Sequence, residues 1–341
     1  MNSVMDFSGS VINQEIVDDE GSVLPGYVPY LSLVFKMIIT TAILLLSGWV
    51  VYTIKITGSL HKPHNIFVAN LLISGMIATL LLSAVPCTMM ISFQLGVESF
   101  LGCFAWQLRF LPFHVNNISL VIIAADKVLA ITSPFKHKRM MSARVIAAVI
   151  SGSWLLAVVP TVYNLVNVSK GVEVLEYGAC IVEENSLLTF ALAFVLPMIT
   201  SSILMVILNA HLTIRAYQVH KQIEREMSLS GQSENVITLK KKQHNIRRNR
   251  KPIITLLVVV FGSISINVAL AAFYLVGRLW ITSPTYHDVM EYVIAPNTGL
   301  VARFIHPLVY GLYFKQVRKP MIACLKRFVR MSKVNSVAPQ P

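Results

Sequence analysis

Long stretches without charged residues divide the chain. They occupy seven ranges, two of which contain a single arginine: 37–54, 63–97, 99–125 with Arg109, 145–169, 185–214, 252–277, and 292–314 with Arg303. An α-helix needs about 20 predominantly apolar residues to cross a hydrocarbon core roughly 30 Å thick. Helices of a soluble core keep a polar face every few residues, and these stretches have none. The pattern therefore predicts an all-α membrane protein, a bundle of seven transmembrane helices.

The distribution of charge orients the predicted helices. Most of the 29 Lys and Arg residues follow the first, third, fifth and seventh stretches, whereas most of the 16 acidic residues lie on the opposite side. Because cytoplasmic loops are enriched in Lys and Arg, the N-terminus is predicted to be extracellular. The boundaries follow: an extracellular tail at 1–29, a seven-helix domain at 30–314 with a third inner loop at about 215–251, and a cytoplasmic tail at 315–341.

Composition narrows the class of protein. Apolar residues make up 55% of the chain and charged residues only 13%, so the net charge of +13 is explained by membrane topology and requires no nucleic-acid partner. The four cysteines lack the paired spacing of a zinc site. The sequence contains no Gly-rich phosphate loop, His-Glu-x-x-His pattern or nucleophile elbow. We therefore predict neither an enzyme nor a metal or cofactor site.

The end of the third stretch carries a motif that resembles a known family. Asp126, Lys127 and Val128 are followed by Ala130-Ile131 and by Pro134, an order that resembles the Asp-Arg-Tyr region of rhodopsin-like G-protein-coupled receptors. Further landmarks of that family occur in the matching order: Asn70-Leu71, Trp154, Pro197, Phe261, Pro307 and Tyr310. The resemblance covers about residues 30–330. It implies a receptor with an extracellular ligand, a heterotrimeric G-protein partner and a plasma-membrane location.

Several landmarks of that family are replaced in this chain. Trp49 stands in place of an asparagine, Gly75 in place of an aspartate, and Lys127 in place of the arginine of the triplet. In the sixth stretch, Ser265 and Asn267 replace a tryptophan and a proline, and His306 precedes Pro307 where the family has an asparagine. The resemblance thus identifies the fold, whereas the switch elements are altered throughout.

The resemblance also implies a layout for the outer side. Cys103 and Cys180 both fall in the oxidising compartment, and the family pairs cysteines at these places. Arg109 corresponds to a position that lines the family's ligand pocket, with Phe113 one helical turn away and Tyr274 contributed by the sixth helix. An arginine at this depth favours a ligand with a carboxylate or phosphate. The alternative is that Arg109 extends outward to Glu98 or to lipid headgroups.

Arg303 is the second intramembrane arginine. The resemblance places it near the level of Gly75, where related receptors hold a sodium ion on an aspartate. We expect the guanidinium to occupy the space of that ion, within an altered ion site formed with Gly75, Asn116 and His306, and to donate to Asn116 or to backbone carbonyls. The alternative is a buried arginine that only stabilises the bundle.

At the inner end the resemblance implies that Asp126, Lys127, Pro307 and Tyr310 form the coupling switch. Lysine keeps the positive charge of the family's arginine but loses its planar fork. No Asp or Glu occurs between Glu234 and Asp288, so the acidic partner of that switch on the sixth helix is missing. High basal activity is one expectation, and failure to couple is its rival.

The remaining predictions concern modification, lipid contact and the alternatives to a signalling receptor. Asn167 heads a glycosylation sequon, and Cys324 is a palmitoylation candidate in a basic, amphipathic helix after the seventh span. The basic inner segments predict contact with anionic membrane lipids. A channel or proton transporter, and a receptor-like protein that binds a ligand without signalling, remain open alternatives.

Overall fold

The computed structural model describes residues 27–94, 108–168, 172–174, 180–182, 195–229, 294–314, 317–324 and 326, with five isolated positions in the sixth predicted span. Its helices are α1 (Tyr27–Ile56), α2 (Pro63–Gln94), α3 (Phe110–Thr132), α4 (Pro134–Met140), α5 (Ala143–Val168), α6 (Leu196–Leu229) and α7 (Ala295–Leu308). Residues 317–324 form a further short helix.

Five of these helices are long and apolar enough to cross a membrane. The qualifying segments are Leu31–Ile56, Pro63–Ser83, Phe110–Thr132, Ala143–Tyr163 and Leu196–Arg215. Their outward faces carry exposed apolar side chains such as Leu45, Leu155 and Val159, as expected where lipid takes the place of water. With α7 and the sixth predicted span, they form the seven-helix bundle that the uncharged stretches predict, followed by the short tail helix.

Helix α3 is the centre of the bundle. It packs against α2, α5 and α6, while α1 packs against α2 and α7. Among the residues that the structure describes, apolar side chains form a large inner cluster that includes Val50, Phe67 and Ile123, and a small outer cluster of Ile43, Leu82 and Leu300. The polar side chains described below lie between and beside these clusters.

Two short strands are the exception to the helical architecture. Strands β1 (Val172–Val174) and β2 (Cys180–Val182) pair antiparallel, with Val174 opposite Cys180. They lie between α5 and α6 in the chain, in the segment that the charge pattern places outside the membrane.

The end of α7 departs from regular α-helix. Pro307 lies inside the helix and has no N–H to donate to the carbonyl of Arg303, one turn earlier. One turn of π-helix follows at Val309–Tyr313. A Cβ atom at Gly311 would lie 2.8 Å from Cγ2 of Val50, so only glycine allows the close approach of this turn to α1.

Candidate functional site

Two residues of the predicted ligand pocket and one of the predicted ion site lie near the start of α3. Arg109 immediately precedes the helix, and its Cζ lies 4.9 Å from the centre of the Phe110 ring. Phe113 follows one turn later, and Cζ of Arg303 from α7 lies 5.3 Å from the Phe113 ring centre. Both guanidinium groups therefore rest on aromatic rings, where cation–π attraction contributes about 1–2 kcal/mol in a desolvated setting. The structure thus brings Arg109, Phe113 and Arg303 into one cluster, which we call the outer arginine site.

Arg303 is the more enclosed of the two arginines. Its side chain is 5% exposed, and its Nε and Nη1 have no hydrogen-bond partner among the residues that the structure describes. A Cβ at Gly299 would lie 3.1 Å from Nη1, so the glycine one turn earlier leaves room for the guanidinium. The charge that acts on Arg303 from α3 is that of Arg109, which has the same sign. The site therefore concentrates positive charge in a buried position.

The altered ion site is only partly assembled around Arg303. A Cβ at Gly75 would lie 3.3 Å from Nδ2 of Asn116, and this amide donates to the carbonyl of Leu71 at 3.1 Å. The expected hydrogen bond from Arg303 to Asn116 or to a backbone carbonyl is not formed by Nε or Nη1 among the described residues, and the guanidinium lies over Phe113. His306 is buried on α7, one turn inward of Arg303.

A polar layer at mid-depth connects three helices. The Asn70 amide Nδ2 donates to Oγ of Ser119 at 2.8 Å, and its Oδ1 accepts from Nε1 of Trp154 at 3.1 Å. One asparagine on α2 thus binds both α3 and α5. Buried polar groups in lipid require such partners.

The inner end of α3 holds a buried carboxylate. Asp126 is 3% exposed, and Oδ1 accepts a hydrogen bond from Nε2 of His137 at 2.7 Å. Nδ1 of His64 lies 3.5 Å from Oδ2, an ion-pair distance when the imidazole is protonated. The two histidines come from α4 and from the start of α2. We call Asp126, His64 and His137 the histidine clamp.

Sequence reasoning missed both histidines of the clamp. His137 lies in the basic run 136–139, which follows the third uncharged stretch and by its charge indicates only a cytoplasmic segment. The signal that could have revealed it is Pro134, which favours the first turn of a helix. Because α4 starts two residues after α3 ends, it folds back beside Asp126. His64 follows Pro63 at the start of α2, a position that faces the inner end of α3.

The other inner switch residues lie beside the clamp. Tyr310 is buried in the π-helical turn, and its ring centre lies 5.4 Å from that of Phe314 and 6.5 Å from that of His64. Lys127 is half-buried next to Asp126, within electrostatic reach of Lys62. Pro307 is buried three residues before Tyr310. The structure therefore places Asp126, Lys127, Tyr310 and Pro307 in one inner region.

The structure describes only some of the remaining predicted residues. Tyr274 and Cys103 lie outside the described residues, so the pocket with Tyr274 and the disulfide stay predictions. Cys180 begins β2, and Asn167 lies in the last turn of α5. Cys324 is a free, partly buried thiol in the tail helix.

A comparison with known families decides the class of this protein. The family model described as 7 transmembrane receptor (rhodopsin family) matches residues 47–310, more than three quarters of the chain. The chain belongs to the rhodopsin-like family of G-protein-coupled receptors. The family consists of membrane receptors and not of enzymes, in agreement with the multi-pass helical bundle.

Individual relatives agree with this assignment. The chain is 28% identical to human olfactory receptor 2A25 over 127 residues, and 28% identical to human putative olfactory receptor 1F12P over 110 residues. These matches span 36% and 31% of this chain, and only 40% and 32% of the relatives' own lengths. The crystal structure of squid rhodopsin covers 93% of both chains with a TM-score of 0.69 at 17% identity, which supports the fold.

Proposed function

We propose that this receptor carries an extracellular small-molecule or peptide signal across the plasma membrane to a heterotrimeric G protein. The observation that carries the proposal is the arrangement along α3. This single helix contributes Arg109 and Phe113 to the outer arginine site and Asp126 and Lys127 to the inner region. A ligand that shifts α3 at its outer end therefore acts on a buried ionic contact at its inner end.

The outer arginine site favours a ligand with an anionic group. A carboxylate or phosphate accepts two parallel hydrogen bonds from one guanidinium, and the low dielectric of the bundle strengthens such a bond. Phe113 offers an aromatic face to Arg303, and Phe110 offers one to Arg109. In our proposal Tyr274 of the sixth helix completes the pocket.

The inner region supports an atypical switch. Lys127 offers a single ammonium where the family has a planar fork, and the acidic partner on the sixth helix is missing from the sequence. In our proposal the histidine clamp holds Asp126 in place of such a partner. The resting state is then weakly latched, and the receptor has high basal activity.

The test is G-protein dissociation in cells that express the full chain, first without ligand and then with a panel of carboxylates and phosphates. We expect output above that of untransfected cells, and a further response to an anionic compound. Arg109→Ala should lower the potency of that compound about 10- to 100-fold, since one charge-assisted hydrogen bond contributes roughly 1.5–3 kcal/mol. Arg109→Lys keeps the charge and should lose less.

Two outcomes contradict the proposal at different points. Unchanged potency in Arg109→Ala at equal surface expression removes the argument for an anionic ligand. Absence of G-protein dissociation under all conditions, with the chain at the cell surface, would leave a non-signalling receptor. Ion currents in voltage-clamped cells would instead favour the channel alternative.

A further inference from the structure

Arg303 is a buried cation that forms no ion pair with an acid among the residues that the structure describes. None of the seven predicted membrane-spanning stretches of the sequence, the sixth included, contains an Asp or Glu. The side chain is 95% removed from solvent, with Nε and Nη1 unpartnered among the residues that the structure describes. An ionised group inside a membrane protein is costly unless a partner or a wet cavity compensates it. Cation–π contact with Phe113 compensates only part of that cost.

A second unpartnered donor lies at the same depth. Thr79 is fully buried on α2, and its Oγ1 has no hydrogen-bond partner among the described residues. It lies one turn outward of Gly75, which faces Asn116 of α3. Phe113 lies almost one turn outward of Asn116 on α3, and Arg303 rests on its ring. Because α2 and α3 run antiparallel, Thr79 and the Arg303 guanidinium occupy the same layer of the bundle.

We propose that this layer is a binding site for a small monoanion, anchored by the Arg303 guanidinium and completed by the Thr79 hydroxyl. Both groups donate hydrogen bonds, and the positive charge of Arg109 adds to the attraction. The bound species is a halide ion or a carboxylate group. The fixed charge of this layer is positive, so the mobile ion is negative.

The two sources of the anion differ in what they imply. A free chloride ion would bind whether or not the chain senses an extracellular ligand. A carboxylate would belong to the ligand itself, and that arm rests on the proposed receptor function. Failure of G-protein signalling would remove the second source and leave the first untouched.

The test measures the apparent melting temperature of the purified full-length receptor in lipid nanodiscs, at constant sodium concentration and ionic strength. Gluconate, which is too large for the layer, is replaced stepwise by chloride, and in a second series by formate. An anion concentration of ten times the dissociation constant should raise the melting temperature by roughly 2–5 °C. Saturation with chloride identifies a free halide site. A response to formate without a response to chloride identifies a carboxylate site.

Substitutions of Arg303 and Thr79 test whether these two residues cause the rise in melting temperature with added anion. Arg303→Met should abolish the response, and in gluconate it should be at least as stable as the unmodified receptor, because the uncompensated charge is gone. Arg303→Lys should retain a weaker response. Thr79→Val should raise the half-saturating concentration about fivefold, as expected for one lost hydrogen bond. Arg139→Met and Thr161→Val serve as controls, since Arg139 is exposed and Thr161 donates within its own helix to Ala157.

Three results would overturn the proposal. The first is a melting temperature of the unmodified receptor that changes with neither chloride nor formate. The second is an equal anion response in Arg303→Met, which would place the effect elsewhere. The third is an Arg303→Met variant that is folded yet clearly less stable in gluconate than the unmodified receptor, which would mean that the charge is already compensated within the chain.

Discussion

The inner and outer halves of the bundle each contain a buried charged side chain, and the two side chains differ in their polar partners. At the inner end, the carboxylate of Asp126 is met by imidazoles from two other elements, at 2.7 Å and 3.5 Å. In the outer half, the guanidinium of Arg303 is equally buried but contacts only an aromatic ring among the described residues. The inner charge therefore has a hydrogen-bond partner within the described part of the chain, whereas the outer one rests on an aromatic ring and, in our proposal, is completed by a bound anion.

Apolar side chains pack at both ends. Among the described residues, the inner cluster draws buried side chains from α1, α2, α3 and α6, and the outer cluster consists of Ile43, Leu82 and Leu300.

The largest effect is expected from breaking the histidine clamp. His137→Ala removes the hydrogen bond to a carboxylate that stays buried, which should cost about 3 kcal/mol and lower the melting temperature by several degrees. Basal G-protein activation should change as well, because α4 is released from α3. Thermal unfolding and basal signalling would be measured on the same preparation.

A neighbouring lysine provides the control for the clamp. Lys138→Ala removes an exposed cation from the same short helix and should change stability by less than about 0.5 kcal/mol. Equal losses in His137→Ala and Lys138→Ala would show that the clamp is not the stabilising element of the inner end.

A smaller effect is expected from crowding the outer arginine site. Gly299→Ala places a Cβ 3.1 Å from Nη1 of Arg303, so the guanidinium must shift and the variant should lose about 1 kcal/mol. Gly152→Ala on α5 meets no atom within 4 Å and should instead gain up to about 1 kcal/mol of helix stability. The melting temperatures of the two variants should move in opposite directions. A shift of the same sign and size in both would argue that Arg303 is free to move.

The smallest effect should come from the polar layer between the two ends. Trp154→Phe removes the indole donor to Asn70 and should cost about 0.6 kcal/mol, the average for a polar contact between membrane helices. A double-mutant cycle with Ser119→Ala would measure the coupling through Asn70. Strict additivity would mean that Asn70 does not link the two contacts.

Much of the fold follows from the sequence, because lipid imposes a simple rule on backbone and side chains. Charge gaps are sufficient to locate the membrane helices, and the surplus of Lys and Arg orients them. The same rule made Arg109 and Arg303 conspicuous, since each interrupts a stretch that is otherwise uncharged. The structure places Arg303 over the ring of Phe113 and Arg109 over the ring of Phe110.

The charge pattern of the sequence does not predict which side chains contact each other at the ends of the helices. His137 meets Asp126 only because α4 folds back after Ser133, and a run of basic residues conceals that contact in the sequence. For Arg303 the partner expected from the sequence is Asn116 or a backbone carbonyl, whereas its Nε and Nη1 have no partner among the described residues and its guanidinium lies over Phe113. Helix rotation and loop conformation depend on packing across the whole bundle.

Gly75 limits what position 75 can carry. A Cβ atom there would lie 3.3 Å from Nδ2 of Asn116, so any larger side chain would press on the amide that donates to the carbonyl of Leu71. An aspartate introduced at this position would therefore have to move the asparagine before it could offer its carboxylate to a cation.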